Sequence, residues 1–111
     1  MSEENVTKIL QMISAAGTSR TKYVEAIRAS KLSDYDKAEA LMREGGECFK
    51  IAHEVHSEFL TSASADLAAT GCNADINLIL IHGEDQMMCA ETFRLVAEEL
   101  IDVYKNMRSQ G

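Results

Sequence analysis

Apolar positions recur at helical spacing along most of the chain. Between Val6 and Ala29 they fall at Val6, Ile9, Leu10, Ile13, Ala16, Tyr23, Val24 and Ile27, with Gly17 interrupting one turn, and this predicts a first helix. The stretch "KLSDYDKAEA" then offers Ser33 as an N-cap, with Asp34 and Asp36 in the first turn, where carboxylates complement the helix dipole. From there Ala38, Leu41 or Met42, Gly45, Cys48 or Phe49, Ala52, Val55, Phe59 or Leu60 and Ala63 keep a near-heptad spacing, so a second, long helix is expected. "AATGCNAD" breaks it at Gly71 and Asn73, and Asp75 is placed to cap a third helix that runs to about Met107.

Three helices of this length with short connections pack most simply as an antiparallel up-down-up bundle, an all-α fold in one domain over residues 1–111. Gly45 and Gly46 stand inside the second helix, where each costs about 0.5 to 1 kcal/mol relative to alanine, and close backbone approach would account for them.

The third helix carries two apolar stripes. One runs through Ile76, Ile79, Leu80, Gly83, Met87, Ala90, Phe93, Ala97, Leu100, Ile101 and Tyr104 and suits the bundle core. The other runs through Leu78, Ile81, Asp85, Met88, Thr92 and Leu95. A helix apolar on two sides has two partners, one inside the bundle and one outside, and self-association is the economical explanation. A carboxylate in that second seam is costly to bury alone, but at a symmetry axis its copies can share a cation. Asp85 is that carboxylate.

Composition narrows the functional classes. Proline is absent and aromatic residues make up only 5% of the chain, which favours helix over sheet. Eighteen acids against eleven bases give a net charge of -7, which repels nucleic-acid phosphates and anionic lipid, and no local basic patch offsets it. The three cysteines, Cys48, Cys72 and Cys89, are odd in number and form no C-x-x-C, so neither a disulfide framework nor a zinc ribbon is expected and a reducing cytoplasm suits them. The first residues, "MSEENVTKIL", have no apolar core of a signal peptide, and no apolar run approaches the length of a membrane span. A cytoplasmic protein is expected.

His82 lies three residues before Asp85, four before Gln86 and seven before Cys89, and these side chains share one side of the third helix. They form either a plain polar strip or the surroundings of a nucleophilic imidazole. A histidine with a pKa near ~6.5 is available unprotonated at neutral pH and can accept a phosphoryl group in line, while Gly83 beside it removes bulk that would block a docking protein. His53 and His56 in "IAHEVHSEF" are spaced for a shared face, but H-E-V-H is one residue short of the zincin pattern and no E-x-x-H is present. A transition-metal bundle on these two histidines is one alternative. A non-catalytic helical adaptor or regulatory protein on the same scaffold is another.

The segment "NLILIHGEDQMM" resembles the S-L-L-x-V-H-A-Q-D-H-L-M pattern of the lactose/cellobiose-type enzyme IIA components of the bacterial sugar phosphotransferase system. Upstream, "AAGTSRTKYVEAIRASKLSDYDKAEALMREGGECFKIAHEVHSEFL" is similar to that family's succession of A-G-x-A-x-S, E-A-L, A-K-x-G-D-F and A-H-x-x-Q segments, in order and at matching spacing.

The resemblance implies a three-helix protomer in a homotrimer. It implies that His82 is phosphorylated by the phosphocarrier HPr and passes the group to a cysteine of enzyme IIB during sugar uptake, meeting the membrane only through the sugar permease component. It implies that Asp85 faces the trimer axis and helps to bind a divalent metal, expected to be magnesium. Glu84 stands where the family usually has glutamine, Gln86 where it has histidine, and His56 where it has glutamine. Gln86 can still donate a hydrogen bond to a phosphoryl oxygen, whereas Glu84 is expected to add negative charge close to the acceptor, so that Glu84→Gln should speed acceptance.

Overall fold

The computed structural model describes residues 1–72 and 76–110, and among them the chain is three α-helices without a strand. Helix α1 spans Glu3–Lys31, α2 Tyr35–Thr70 and α3 Leu78–Gln110. The antiparallel up-down-up arrangement expected from the spacing is the one observed.

The helix ends show what stops each element. Ser2 caps α1, its hydroxyl accepting from the Asn5 N–H at 3.1 Å, with Glu3 and Glu4 in the first turn and Arg28 and Lys31 in the last, each matched to the helix dipole. The second cap falls one residue later than expected. Because α1 persists to Lys31, the chain must reverse within three residues, and Ser33 is drawn into the left-handed region at φ 62° while Asp34 becomes the N-cap, its carboxylate accepting from the Lys37 N–H at 3.2 Å. The turn leaves no backbone donor stranded: the N–H groups of Leu32 and Asp34 reach Ala29 O, and that of Ser33 reaches Ser30 O. Gly71 ends α2 in the left-handed conformation, φ 73°, with its N–H on Leu67 O at 2.9 Å. The expected break at Asn73 and cap at Asp75 lie outside the described residues. Asn77 supplies a cap, its side-chain Oδ1 accepting from the Leu80 N–H at 3.0 Å, so Ile76 precedes the helix and stays exposed rather than joining the core stripe.

Helix α1 packs along both of its neighbours, whereas α2 and α3 touch each other far less. Small residues let the helices approach. One cluster joins Met12, Ala15 and Ala16 of α1 to Ala52 and Val55 of α2 and to Met87 and Ala90 of α3, and others are built on Ala26, Ala29, Ala38 and Leu41 and on Tyr23, Ile27 and Ala97. Gly45 permits the tightest crossing: a Cβ there would stand 2.6 Å from Cε1 of the Tyr23 ring, and the buried Ser19 hydroxyl donates to the Gly45 carbonyl at 2.9 Å. Gly46 faces open space, so only the first of the two glycines serves close approach. The result is a rod 61 Å long, in which α2 and α3 each have one main partner and keep a free side.

Candidate functional site

An α-helix turns about 100° per residue, so six consecutive residues of α3 point in six directions. Gly83 and Met87 turn inward and are buried, Glu84 and Gln86 are half-buried on opposite flanks, and His82 and Asp85 are exposed. The imidazole therefore lies on the surface at one flank of α3, on the side nearer α1, with the helix core close beneath it.

Gly83 does something different from what the sequence suggested. A Cβ on it would stand 2.6 Å from Met12 Cε and 3.4 Å from Ile9 Cγ2, so its missing side chain lets α3 lie against α1 and does not open a groove for a partner. Residue 83 is about 100° from residue 82, enough to carry it from the surface into the helix contact.

Glu84 is likewise turned away from His82. Two residues along a helix are about 200° apart, which puts Glu84 on the α2 side, where its Oε2 pairs with Nδ1 of His56. Both side chains are largely shielded, 22% exposed for His56 and 28% for Glu84. The negative charge expected from Glu84 close to His82 is thus paired with His56 on the α2 side of the helix. His56 is committed to this pair; His53 is exposed, with its ring centroid 6.1 Å away. Among the described residues no three His, Cys, Asp or Glu side chains converge as metal ligands, so none of them gives His53 and His56 a third ligand.

Gln86, one turn after His82, meets a residue that the sequence reading missed. Arg20 of α1 donates from Nη1 to Gln86 Oε1 at 2.7 Å. The signal was present in the spacing: Ile13, Gly17, Arg20 and Val24 share one side of α1, and Arg20 is the charge that interrupts it. Arg20 also borders a concavity between α1 and α3 lined by Asp85, Met88, Cys89, Phe93 and Val96. No carboxylate among the described residues lies within ion-pairing distance of it.

The second stripe of α3 is exposed as its pattern required: Leu78 at 81%, Ile81 at 47%, Met88 at 49% and Leu95 at 52%, with Asp85 and Thr92 between them also exposed. Asp85 offers one carboxylate per chain, too few ligands for a divalent ion, so an ion there fits only if several copies of Asp85 meet. Cys48 is half-buried and Cys72 and Cys89 are exposed; all three are free thiols. No helix among the described residues is long and apolar enough to cross a membrane.

With the geometry in place, comparison with known proteins is specific. Residues 7–105 match the family described as PTS system, Lactose/Cellobiose specific IIA subunit. The lactose-specific EIIA component of the PTS system of Staphylococcus epidermidis is 33% identical over 95 residues, covering 86% of each chain. The PTS cellobiose-specific enzyme IIA from Bacillus anthracis superposes with a TM-score of 0.85 at 28% identity, over 100% of this chain and 97% of that one. At 21% identity the IIA(Chitobiose) of Escherichia coli, solved in complex with HPr, shares the fold with a TM-score of 0.74 over 96% of this chain and 99% of that one.

Proposed function

The chain belongs to the lactose/cellobiose-specific IIA subunits of the PTS system, and from that premise we propose that it carries a phosphoryl group on His82. The observation that carries the assignment to this residue is its setting: an exposed imidazole on α3, within the matched region, with Gln86 one turn further on. In the first half-reaction a ring nitrogen of unprotonated His82 attacks phosphorus in phospho-HPr. The new N–P bond forms as the donor's N–P bond breaks, and the donor imidazole keeps the electron pair. In the second, a cysteine thiolate of enzyme IIB attacks the same phosphorus and His82 leaves unphosphorylated. The Gln86 amide lies within reach of the phosphoryl oxygens on His82, since side chains four apart on a helix are neighbours at about 5 to 6 Å. There it donates a hydrogen bond to charge that both transfers share.

HPr as donor is supported by the complex solved for the chitobiose relative, and sugars of the lactose, cellobiose or chitobiose type follow from the relatives' names. The protein works as a cytoplasmic homotrimer whose copies bury the second stripe of α3. Asp85 from each copy would hold a divalent metal, expected to be magnesium, which would supply charge neutralisation between the carboxylates.

The test is chemical. Incubation with phosphoenolpyruvate, enzyme I and HPr adds one acid-labile, base-stable phosphate to the parent and none to His82→Ala, whose helical content is unchanged because the imidazole is exposed. Acid-labile phosphate retained on the alanine variant overturns the assignment.

A further inference from the structure

We propose that Arg20 is a positioning residue for phosphoryl transfer: it fixes which end of the Gln86 carboxamide faces His82. The inference rests on the carrier reading above and adds a residue from another helix.

A carboxamide has two faces, an oxygen that accepts and an NH2 that donates, and nothing in its own shape decides which way it points. A guanidinium has five N–H donors and no acceptor. When Arg20 Nη1 stands 2.7 Å from the Gln86 side chain, the atom between them must therefore be Oε1, and the NH2 is directed away from Arg20. An NH2 presented toward the residue one turn earlier can donate to a phosphoryl oxygen on His82. In the opposite orientation Oε1 would face the phosphoryl oxygens and repel them. The charged donor makes the preference strong, because a hydrogen bond to an ionised group is roughly twice as strong as one between neutral groups. Arg20 is available for this role because no carboxylate among the described residues claims it, unlike Lys22, which pairs with Glu44 at 3.3 Å, and Arg94, which pairs with Glu98 at 3.2 Å. Its half-buried setting against α3 restricts the side chain, so the orientation is held before a phosphoryl group arrives.

The test follows phosphate transfer from phospho-HPr to the 111-residue chain. Arg20→Met is expected to slow acceptance roughly tenfold, the loss of one charge-assisted contact, with the thermal melt within a few degrees of the parent. In a Gln86→Leu background the same Arg20→Met change should cost less than about twofold more, because a residue that acts through Gln86 has nothing left to orient. Gln86→Glu keeps a partner for Arg20 and keeps the fold, but presents oxygen to the phosphoryl group, and it should also lose roughly tenfold. A spectroscopic arm needs no phosphate: the side-chain amide NMR signals of Gln86 should move in Arg20→Met. Parent-like rates in Arg20→Met or Gln86→Glu, fully additive losses in the double variant, or unmoved Gln86 signals each overturn the proposal. A parent that accepts no phosphate fails the carrier reading and this proposal with it, whereas a parent that accepts phosphate while Arg20→Met matches it fails the proposal alone.

Discussion

Glu84 on α3 and His56 on α2 hold one another across the helix contact, Oε2 to Nδ1, and this pairing engages a carboxylate only two residues from His82 on the far side of their helix. These are two of the positions at which the chain departs from the pattern it resembles, and the two departures meet. Within the chain Glu84 is a tie between α2 and α3, which otherwise touch little. Glu84→Gln is therefore expected to leave phosphate acceptance from phospho-HPr within about twofold of the parent and to lower stability by up to about 1 kcal/mol, as for a partly shielded polar pair. Parallel transfer assays and urea unfolding measure both. Faster acceptance at unchanged stability would show that the carboxylate acts on the phosphoryl group after all.

The two glycines buried at helix contacts respond differently to an added methyl group. At Gly83 the new Cβ would press on Met12 Cε, the end of a flexible side chain, and replacing a helical glycine by alanine returns about 0.5 to 1 kcal/mol. Gly83→Ala is expected within about 1 kcal/mol of the parent. At Gly45 the Cβ would meet Tyr23 Cε1 at 2.6 Å and Cδ1 at 2.9 Å, two atoms of a rigid, fully buried ring. Gly45→Ala should lose about 1 to 3 kcal/mol from overpacking despite the same gain in helix propensity. Equal melting temperatures for the two variants would contradict the distinction.

The three helices were legible because each carries its own period, and the inward and outward stripes of α3 follow from 100° of turn per residue without knowledge of any neighbour. The exposure of His82 and Asp85 and the burial of Met87 belong to that class. What the spacing did not hold was register between helices. Arg20 and Gln86 are 66 residues apart and His56 and Glu84 are 28 apart, and nothing along one helix tells which residue of another will stand opposite. The cap at Asp34 was missed for a smaller reason. Ser33 and Asp34 both suit an N-cap, and the choice depends on how far α1 extends before the turn begins.

Tyr23 gives a pH dependence of known sign. Its ring is fully buried and its hydroxyl oxygen has no hydrogen-bond partner, and this burial raises the phenol above its ordinary 10.0. A folded state that holds the phenolic proton more tightly than the unfolded chain keeps that advantage below pH 10.0 and loses it as pH rises through 10.0 toward the folded value. Alkaline unfolding of the parent should therefore steepen above about pH 10. Tyr23→Phe removes the titrating group and a buried hydroxyl without a partner, so it should be near neutral at pH 7 and less sensitive above pH 10. Guanidinium unfolding across that range decides it, and identical slopes for parent and variant would remove Tyr23 as the cause.

Asp85 is one carboxylate set in an exposed apolar seam formed by Leu78, Ile81, Met88 and Leu95. If three copies of that seam meet, three carboxylates converge where water is being displaced, and their repulsion grows as the local dielectric falls. Assembly then needs a shared cation or partial protonation. The parent trimer should weaken when a chelator strips divalent metal at neutral pH and recover in part on mild acidification, since protonation relieves the same repulsion. Asp85→Leu removes the charges and continues the apolar seam, and exchanging buried charges for well-packed apolar groups is neutral or stabilising by about 1 to 4 kcal/mol. It should be trimeric with and without metal. Sedimentation velocity of both proteins, with and without chelator, distinguishes the outcomes. A parent that sediments as a monomer throughout, or a leucine variant that dissociates where the parent does not, would make Asp85 an ordinary solvated residue and leave the apolar seam to some other partner.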